Sequence, residues 1–207
     1  MVSADRRRAA ELADVRAALA RSVAERLART AAAHPSPQRF DPVRIVHTLH
    51  HTGLRFVLVG GLASVIHGSP RITADVDVMY HATEASLAQL AKALTALRAI
   101  PIDAATTPPQ YTAAALMRRP RYPLLEFTTD AGALDCDDYG RERFDQVVSR
   151  AVSVELGGLP VLAAAIDDLI ELKRQAGRPK DMRDVHLLTL VRDEAGQDPA
   201  MHRLSER

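Results

Sequence analysis

Two carboxylates stand one residue apart in Ala74-Asp75-Val76-Asp77-Val78-Met79-Tyr80. On a strand, positions i and i+2 point to the same face, so Asp75 and Asp77 sit side by side with the valines buried behind them. Neighbouring carboxylates repel and raise one another's pKa, and such a pair calls for a cation. Hard oxygen ligands on a rigid strand suit Mg²⁺ (or Mn²⁺ in its place), which is usually bound by one or two carboxylates plus substrate phosphates. Upstream, Arg55-Phe56-Val57-Leu58-Val59 runs into Gly60-Gly61 at the start of a helix. Without a Cβ in the way a ligand can approach the backbone there, and the N–H groups at a positive helix end favour phosphate. A phosphate cradle beside a two-carboxylate metal site implies metal-assisted phosphoryl or nucleotidyl transfer. Taken singly, Gly60-Gly61 is an ordinary strand-to-helix turn and the acidic pair an ordinary solvated strand face; the joint spacing carries the chemistry. Neither G-x-x-x-x-G-K-[ST] nor a G-x-G-x-x-G following the strand is present.

The bulk composition narrows the class. The chain has 207 residues, 47% of them hydrophobic and 26% charged, which suits one globular domain with an appendage and excludes a disordered chain. With 27 Lys+Arg against 26 Asp+Glu, the formal net charge of +1 excludes a protein that coats nucleic acid by bulk charge; a polyanion must be gripped by a local patch. Cys136 is the single cysteine, so no intrachain disulfide or multi-cysteine zinc module forms, and a reducing, cytoplasmic setting is expected. The longest apolar stretch, Phe56 to Ile66, is too short to span a bilayer, and the N-terminus has no apolar signal core. Aromatic residues make up 4% with no Trp, which argues against a base-stacking platform.

The elements that must position these groups follow from periodicity and punctuation. Residues 4–33 predict one helix with an apolar stripe at Leu12, Val15, Leu19, Val23 and Leu27, ended by His34-Pro35-Ser36-Pro37. It is packed on the body or offered to another subunit. Asp41-Pro42 opens a short helix, with Asp41 as N-cap. Strands are expected at 55–59 and 74–80, with a helix over 62–67 between them. An amphipathic helix spans 83–98, with Leu87, Leu90, Leu94 and Leu97 inward. Residues 101–123 are the least legible, with a short helix at 112–117. Strands at 124–128 and 133–137, a helix at 141–150, a hairpin of 152–156 with 159–162, and helices at 166–176 and 179–192 complete the chain. The domain organisation expected is an N-terminal helical extension (1–36), a catalytic core (37–165), a C-terminal helical portion (166–195) and a tail (196–207).

Gly60-Gly61 followed by Asp75-x-Asp77 resembles the signature of DNA polymerase β-like nucleotidyltransferases. More narrowly, Gly60-Gly61…His67-Gly68…Arg71-x-Thr73-x-Asp75-x-Asp77 resembles the AbiEii/MenT-type nucleotidyltransferase toxins. Gly132-Ala133-Leu134-Asp135 is similar to that group's G-x-L-D strand, which carries a third carboxylate. Asp167-Asp168-Leu169-Ile170-Glu171-Leu172-Lys173-Arg174-Gln175-Ala176-Gly177-Arg178-Pro179-Lys180-Asp181 is similar to its D-L-I-x-L-K-x-x-A-G-R-P-K-D segment. The matched segments run from about residue 55 to 190. Two departures stand out: Gly60-Gly61 replaces the Gly-Ser of many superfamily members, and Cys136-Asp137-Asp138 follows Asp135 where apolar residues are usual.

The resemblance implies an α/β (α+β) fold of the polymerase β-like nucleotidyltransferase type: a mixed sheet, C-terminal helices and an added N-terminal helix. It implies that Asp75, Asp77 and Asp135 hold Mg²⁺ and act catalytically, with Asp135 as base toward an acceptor hydroxyl. Asp137 shares a strand face with Asp135 and is the alternative third carboxylate; Glu126 and Asp130 are weaker candidates. Gly60, Gly61, Lys173, Arg178, Lys180 and Arg71 are the nucleotide-binding candidates. Asp181 is expected to cap or pair locally, His67 to be a satisfied hydrogen-bonder, and Cys136 to be buried. Arg118, Arg119 and Arg121, around Pro120 and Tyr122, are candidates for gripping the acceptor. The implied reaction moves an NMP from NTP to an acceptor, RNA and tRNA in particular, as the toxin of a pair with an antitoxin protein. The alternatives are transfer to a protein or small molecule such as an aminoglycoside, or a catalytically silent nucleotide-binding protein. No membrane association is expected, and the N-terminal helix offers a dimer seam.

Overall fold

A computed structural model of the chain describes residues 40–70, 73–103, 109–119 and 123–197. The expected N-terminal helix and its dimer seam, Arg71, Arg121 and the last ten residues lie outside the described residues. The N-terminal extension of the expected domain division falls there too.

The helices, in chain order, are α1 (Pro42–His51), α2 (Gly60–Ile66), α3 (Glu84–Ala96), α4 (Ala113–Met117), α5 (Gly140–Arg150), α6 (Ile166–Ala176) and α7 (Pro179–Gln197). The strands are β1 (Phe56–Val59), β2 (Asp75–Tyr80), β3 (Ile100–Pro101), β4 (Leu124–Thr129), β5 (Gly132–Asp138), β6 (Val152–Leu156) and β7 (Leu159–Ala163). They form one mixed sheet of order β3-β4-β5-β2-β1-β7-β6.

Local chemistry sets most boundaries. Asp41 accepts from the Arg44 N–H at 2.9 Å, and Pro42 occupies the first helical position, where its missing N–H costs nothing. Thr83 and Ser86 form a reciprocal capping box, Thr83 Oγ1 accepting from the Ser86 N–H at 3.1 Å and Ser86 Oγ from the Thr83 N–H at 2.7 Å. Leu87, Leu90, Leu94 and Leu97 are fully buried against the core, as their spacing predicts. Gly177 takes φ +65°, the left-handed conformation that terminates α6 and lets α7 fold back.

Three differences from the sequence expectation have plain causes. α2 begins at Gly60 rather than Leu62, because Val59 is the last extended residue and both glycines enter the first helical turn. β3 was not expected; its two residues carry no period, and only pairing of Ile100 with Thr128 and Pro101 with Phe127 defines it. α7 continues to Gln197, past the expected end at Arg192.

The central pair of strands matters most. β1 runs antiparallel to β2, placing Val59 opposite Asp77. β2 runs parallel to β5, placing Asp75 opposite Ala133 and Asp77 opposite Asp135. Val76, Val78, Leu134 and Cys136 face the core, so the alternating positions carry their carboxylates to the opposite side. The C-terminal helices are tied down by a bidentate ion pair in which Arg150 Nε and a terminal guanidinium nitrogen donate to Asp168 at 3.0 and 2.5 Å.

Candidate active site

Asp75, Asp77 and Asp135 converge: one carboxylate oxygen from each lies within 4.8 Å of the other two, and all three side chains are half-buried. Among the described residues they are the one group of acidic, His or Cys side chains so arranged. Two come from one strand face and the third from the register partner of Asp77, so convergence follows directly from the parallel β2–β5 ladder.

The glycine elbow supports this cluster. The Gly61 N–H donates to Asp77 Oδ2 at 3.1 Å. Gly60 adopts φ +60°, and a Cβ built on it would land on the Asp77 carboxylate. A Cβ on Gly61 would collide with the hydroxyl of Thr73, which donates to Asp75 Oδ1 at 2.6 Å. The two glycines are therefore needed for the close approach of protein side chains, and Asp77 takes the Gly61 donor that the sequence reading offered to phosphate.

The electrostatics are those of crowded acids. Asp135 is pushed up to about 7, first by burial, then by the Asp77, Asp75 and Glu126 carboxylates; the Lys180 ammonium pulls it partly back. Asp137 is raised mainly by burial and bonded to Tyr139, whose own hydroxyl is pushed up to about 12 by burial and by Asp137. Asp138 faces elsewhere, accepting from the Ala82 and Gly140 N–H groups at 3.1 and 3.0 Å. Of the alternatives for a third carboxylate, Glu126 is the cross-strand neighbour of Asp135 on β4, Asp137 lies one pleat further along, and Asp130 pairs with Arg98 at 3.3 Å.

The basic candidates divide. Lys173 is buried and donates to Asp184 Oδ2 at 2.7 Å, within the α6–α7 pair. Arg178 donates from Nε to Asp181 Oδ2 at 2.5 Å, which also receives the Arg178 N–H, so Asp181 pairs locally as expected. Arg178 is raised chiefly by that bond, with smaller contributions from Asp77 and Asp135, and the Lys180 ammonium lowers Asp135, so both cations are within electrostatic reach of the acids. Arg119 pairs with Asp103, while Arg118 is exposed. His67 bonds the Ala164 carbonyl at 2.8 Å and is held below its usual pKa by burial, and Cys136 is a buried free thiol.

Two residues at the site escaped notice as individuals. Thr73 stood inside the quoted Arg71-x-Thr73-x-Asp75 pattern without an assigned role. Asp184 gave no local signal, since its partnership with Lys173 forms only when two helices pack.

The donor set suits a divalent cation. Three hard oxygen ligands crowd one another, and a cation between them relieves the repulsion that lifts Asp135. No helix among the described residues is long and apolar enough to cross a membrane.

The family model described as "Nucleotidyl transferase AbiEii toxin, Type IV TA system" matches residues 45–204. No curated protein matches the chain. Among solved structures, the chain is similar to an antigenic nucleotidyltransferase-like protein from Paracoccidioides brasiliensis, with a TM-score of 0.44 and 15% identity over 70% of this chain and 72% of that one. It is also similar to the antibiotic-resistance factor ANT(2'')-Ia, with a TM-score of 0.46 and 13% identity over 78% and 95% of the two chains.

Proposed function

Because this chain belongs to the nucleotidyl transferase AbiEii toxin family, we propose that it moves a nucleoside monophosphate from an NTP to a hydroxyl of RNA, with tRNA the favoured acceptor, as the toxin of a toxin–antitoxin pair. One observation carries the reading: the convergence of Asp75, Asp77 and Asp135 on a single point beside the Gly60-Gly61 elbow.

Asp75, Asp77 and Asp135 would hold Mg²⁺, which when bound neutralises the phosphate charge and polarises the α-phosphoryl group. Asp135 has a second task. As the family resemblance implies, its carboxylate takes the proton of the acceptor hydroxyl as that oxygen bonds to the α-phosphorus. The bond from the α-phosphorus to its bridging oxygen breaks, and pyrophosphate leaves with those electrons. Lys180 and Arg178, within electrostatic reach of the acids, take charge on the triphosphate. Lys173 supports that turn from within. Arg118 and Arg121 grip the acceptor backbone.

The test is incubation of the protein with each labelled NTP, Mg²⁺ and total RNA, beside Asp77→Asn. Label entering RNA with the wild type alone supports the proposal. Label entering protein or a small molecule instead reassigns the acceptor. Binding of NTP with no pyrophosphate release from any mixture overturns the transfer reaction and leaves a silent nucleotide-binding protein. Growth arrest on expression, relieved by Asp75→Ala, tests the toxin role separately.

A further inference from the structure

Thr73 is almost wholly buried, 3% exposed, and sits two residues before the start of β2. Its hydroxyl has one proton, and the short 2.6 Å contact commits that proton to Asp75 Oδ1, with a longer 3.4 Å approach to the Asp75 carbonyl. The hydroxyl reaches this position because Gly61 has no Cβ; a side chain there would occupy the place of Thr73 Oγ1. Asp77 is anchored in a matching way by the Gly61 N–H. Both carboxylates of β2 thus receive a donor whose position depends on the same glycine: Asp77 the Gly61 N–H itself, and Asp75 the Thr73 hydroxyl that the missing Cβ admits.

We propose that Thr73 is a positioning residue for the metal-binding carboxylates. It locks the rotamer of Asp75 so that one oxygen stays on the hydroxyl and the other is presented to the cation, and Gly61 is small in order to admit it. The inference rests on the metal-dependent reading above. A hydrogen-bonded outer partner fixes ligand orientation before the metal arrives, and removing one characteristically weakens metal affinity by about 10- to 100-fold.

The experiment measures Mn²⁺ binding to the full chain by water-proton relaxation, without nucleotide, for wild type, Thr73→Val, Thr73→Ser and Asp75→Asn. Thermal unfolding of each variant is recorded alongside, and Thr73→Ala replaces Thr73→Val if the latter does not fold. The expected result is a Mn²⁺ dissociation constant raised about 10-fold or more in Thr73→Val and restored in Thr73→Ser, which keeps the hydroxyl. Transfer assays at saturating Mn²⁺ should then recover most of the wild-type rate in Thr73→Val. Equal Mn²⁺ affinity in wild type and the folded Thr73→Val overturns the positioning role while leaving the metal site intact. Absence of Mn²⁺ binding by the wild type overturns the metal-dependent reading itself, and the positioning role with it.

Discussion

Asp77 on β2 and Asp135 on β5 are register partners in a parallel ladder, so two like charges face one another across a single inter-strand step of about 4.8 Å. Chains do not place acids this way for stability, since like charges directly opposite are destabilising. The arrangement sets the behaviour of the site with and without its cation.

The identity of the third carboxylate can be decided by paired substitution. Asp135→Asn should reduce transfer by about 1,000-fold or more, because a carboxylate at the convergence point is lost. Asp137→Asn, one pleat away and bonded to Tyr139, should keep activity within about 10-fold. Pyrophosphate release at saturating NTP measures both.

The crowding also makes a pH signature. Asp135 holds its proton up to about 7, against 3.8 for the ordinary group. Between those values the folded state binds more protons than the unfolded one, so stability falls as pH rises through this window. Below it both states are protonated and the penalty vanishes. In the metal-free protein, Asp135→Asn should therefore be the more stable form at pH 8, by on the order of 2 kcal/mol after allowing for the solvent exposure of the site. The gap should close toward pH 4, and Mg²⁺ should narrow it at pH 8. Thermal melts at several pH values, with and without Mg²⁺, check the sign.

Gly60→Ala should be costly twice over. The φ of +60° carries a penalty of about 1–2 kcal/mol for any L side chain, and the new methyl group would displace Asp77. Transfer should fall to the level of Asp77→Asn while circular dichroism shows a folded protein with a lowered midpoint. Wild-type activity in this variant would contradict the close packing of elbow and acid.

Lys173 and Asp184 allow a double-mutant cycle. Each side chain is about nine-tenths buried, and removing one partner takes a buried charge-assisted bond from the other, at a cost of up to about 3–5 kcal/mol. Lys173→Met and Asp184→Leu should each destabilise, and the double variant should lose less than the sum of the two. Denaturant unfolding gives the coupling. A residue acting as a brace lowers stability without raising the KM for NTP, whereas a direct triphosphate ligand raises KM with stability unchanged.

What was legible in the sequence follows the range of the forces involved. The Asp75/Asp77 alternation, the capping of α1 by Asp41 and of α3 by Thr83, and the buried leucine stripe of α3 are local patterns. Each is present in the structure at those residues. Motif resemblance added Asp135, which periodicity alone could not choose over Asp137. Contacts created by tertiary packing left no trace: Lys173 with Asp184, Arg119 with Asp103, and the two-residue β3 held by β4 alone. The elbow was legible as a place where no Cβ fits, yet the groups that fill the space are Asp77 and Thr73.

The cluster draws on strands far apart in the chain, β2 and β5, with a two-helix turn above it from later still. During synthesis Asp75 and Asp77 emerge well before Asp135, so a nascent or truncated product ending ahead of β5 carries two of the three acids. The third acid joins the cluster only through the pairing of β5 with β2. The order of the strands makes completion of the acidic cluster a late event in the emergence of the chain.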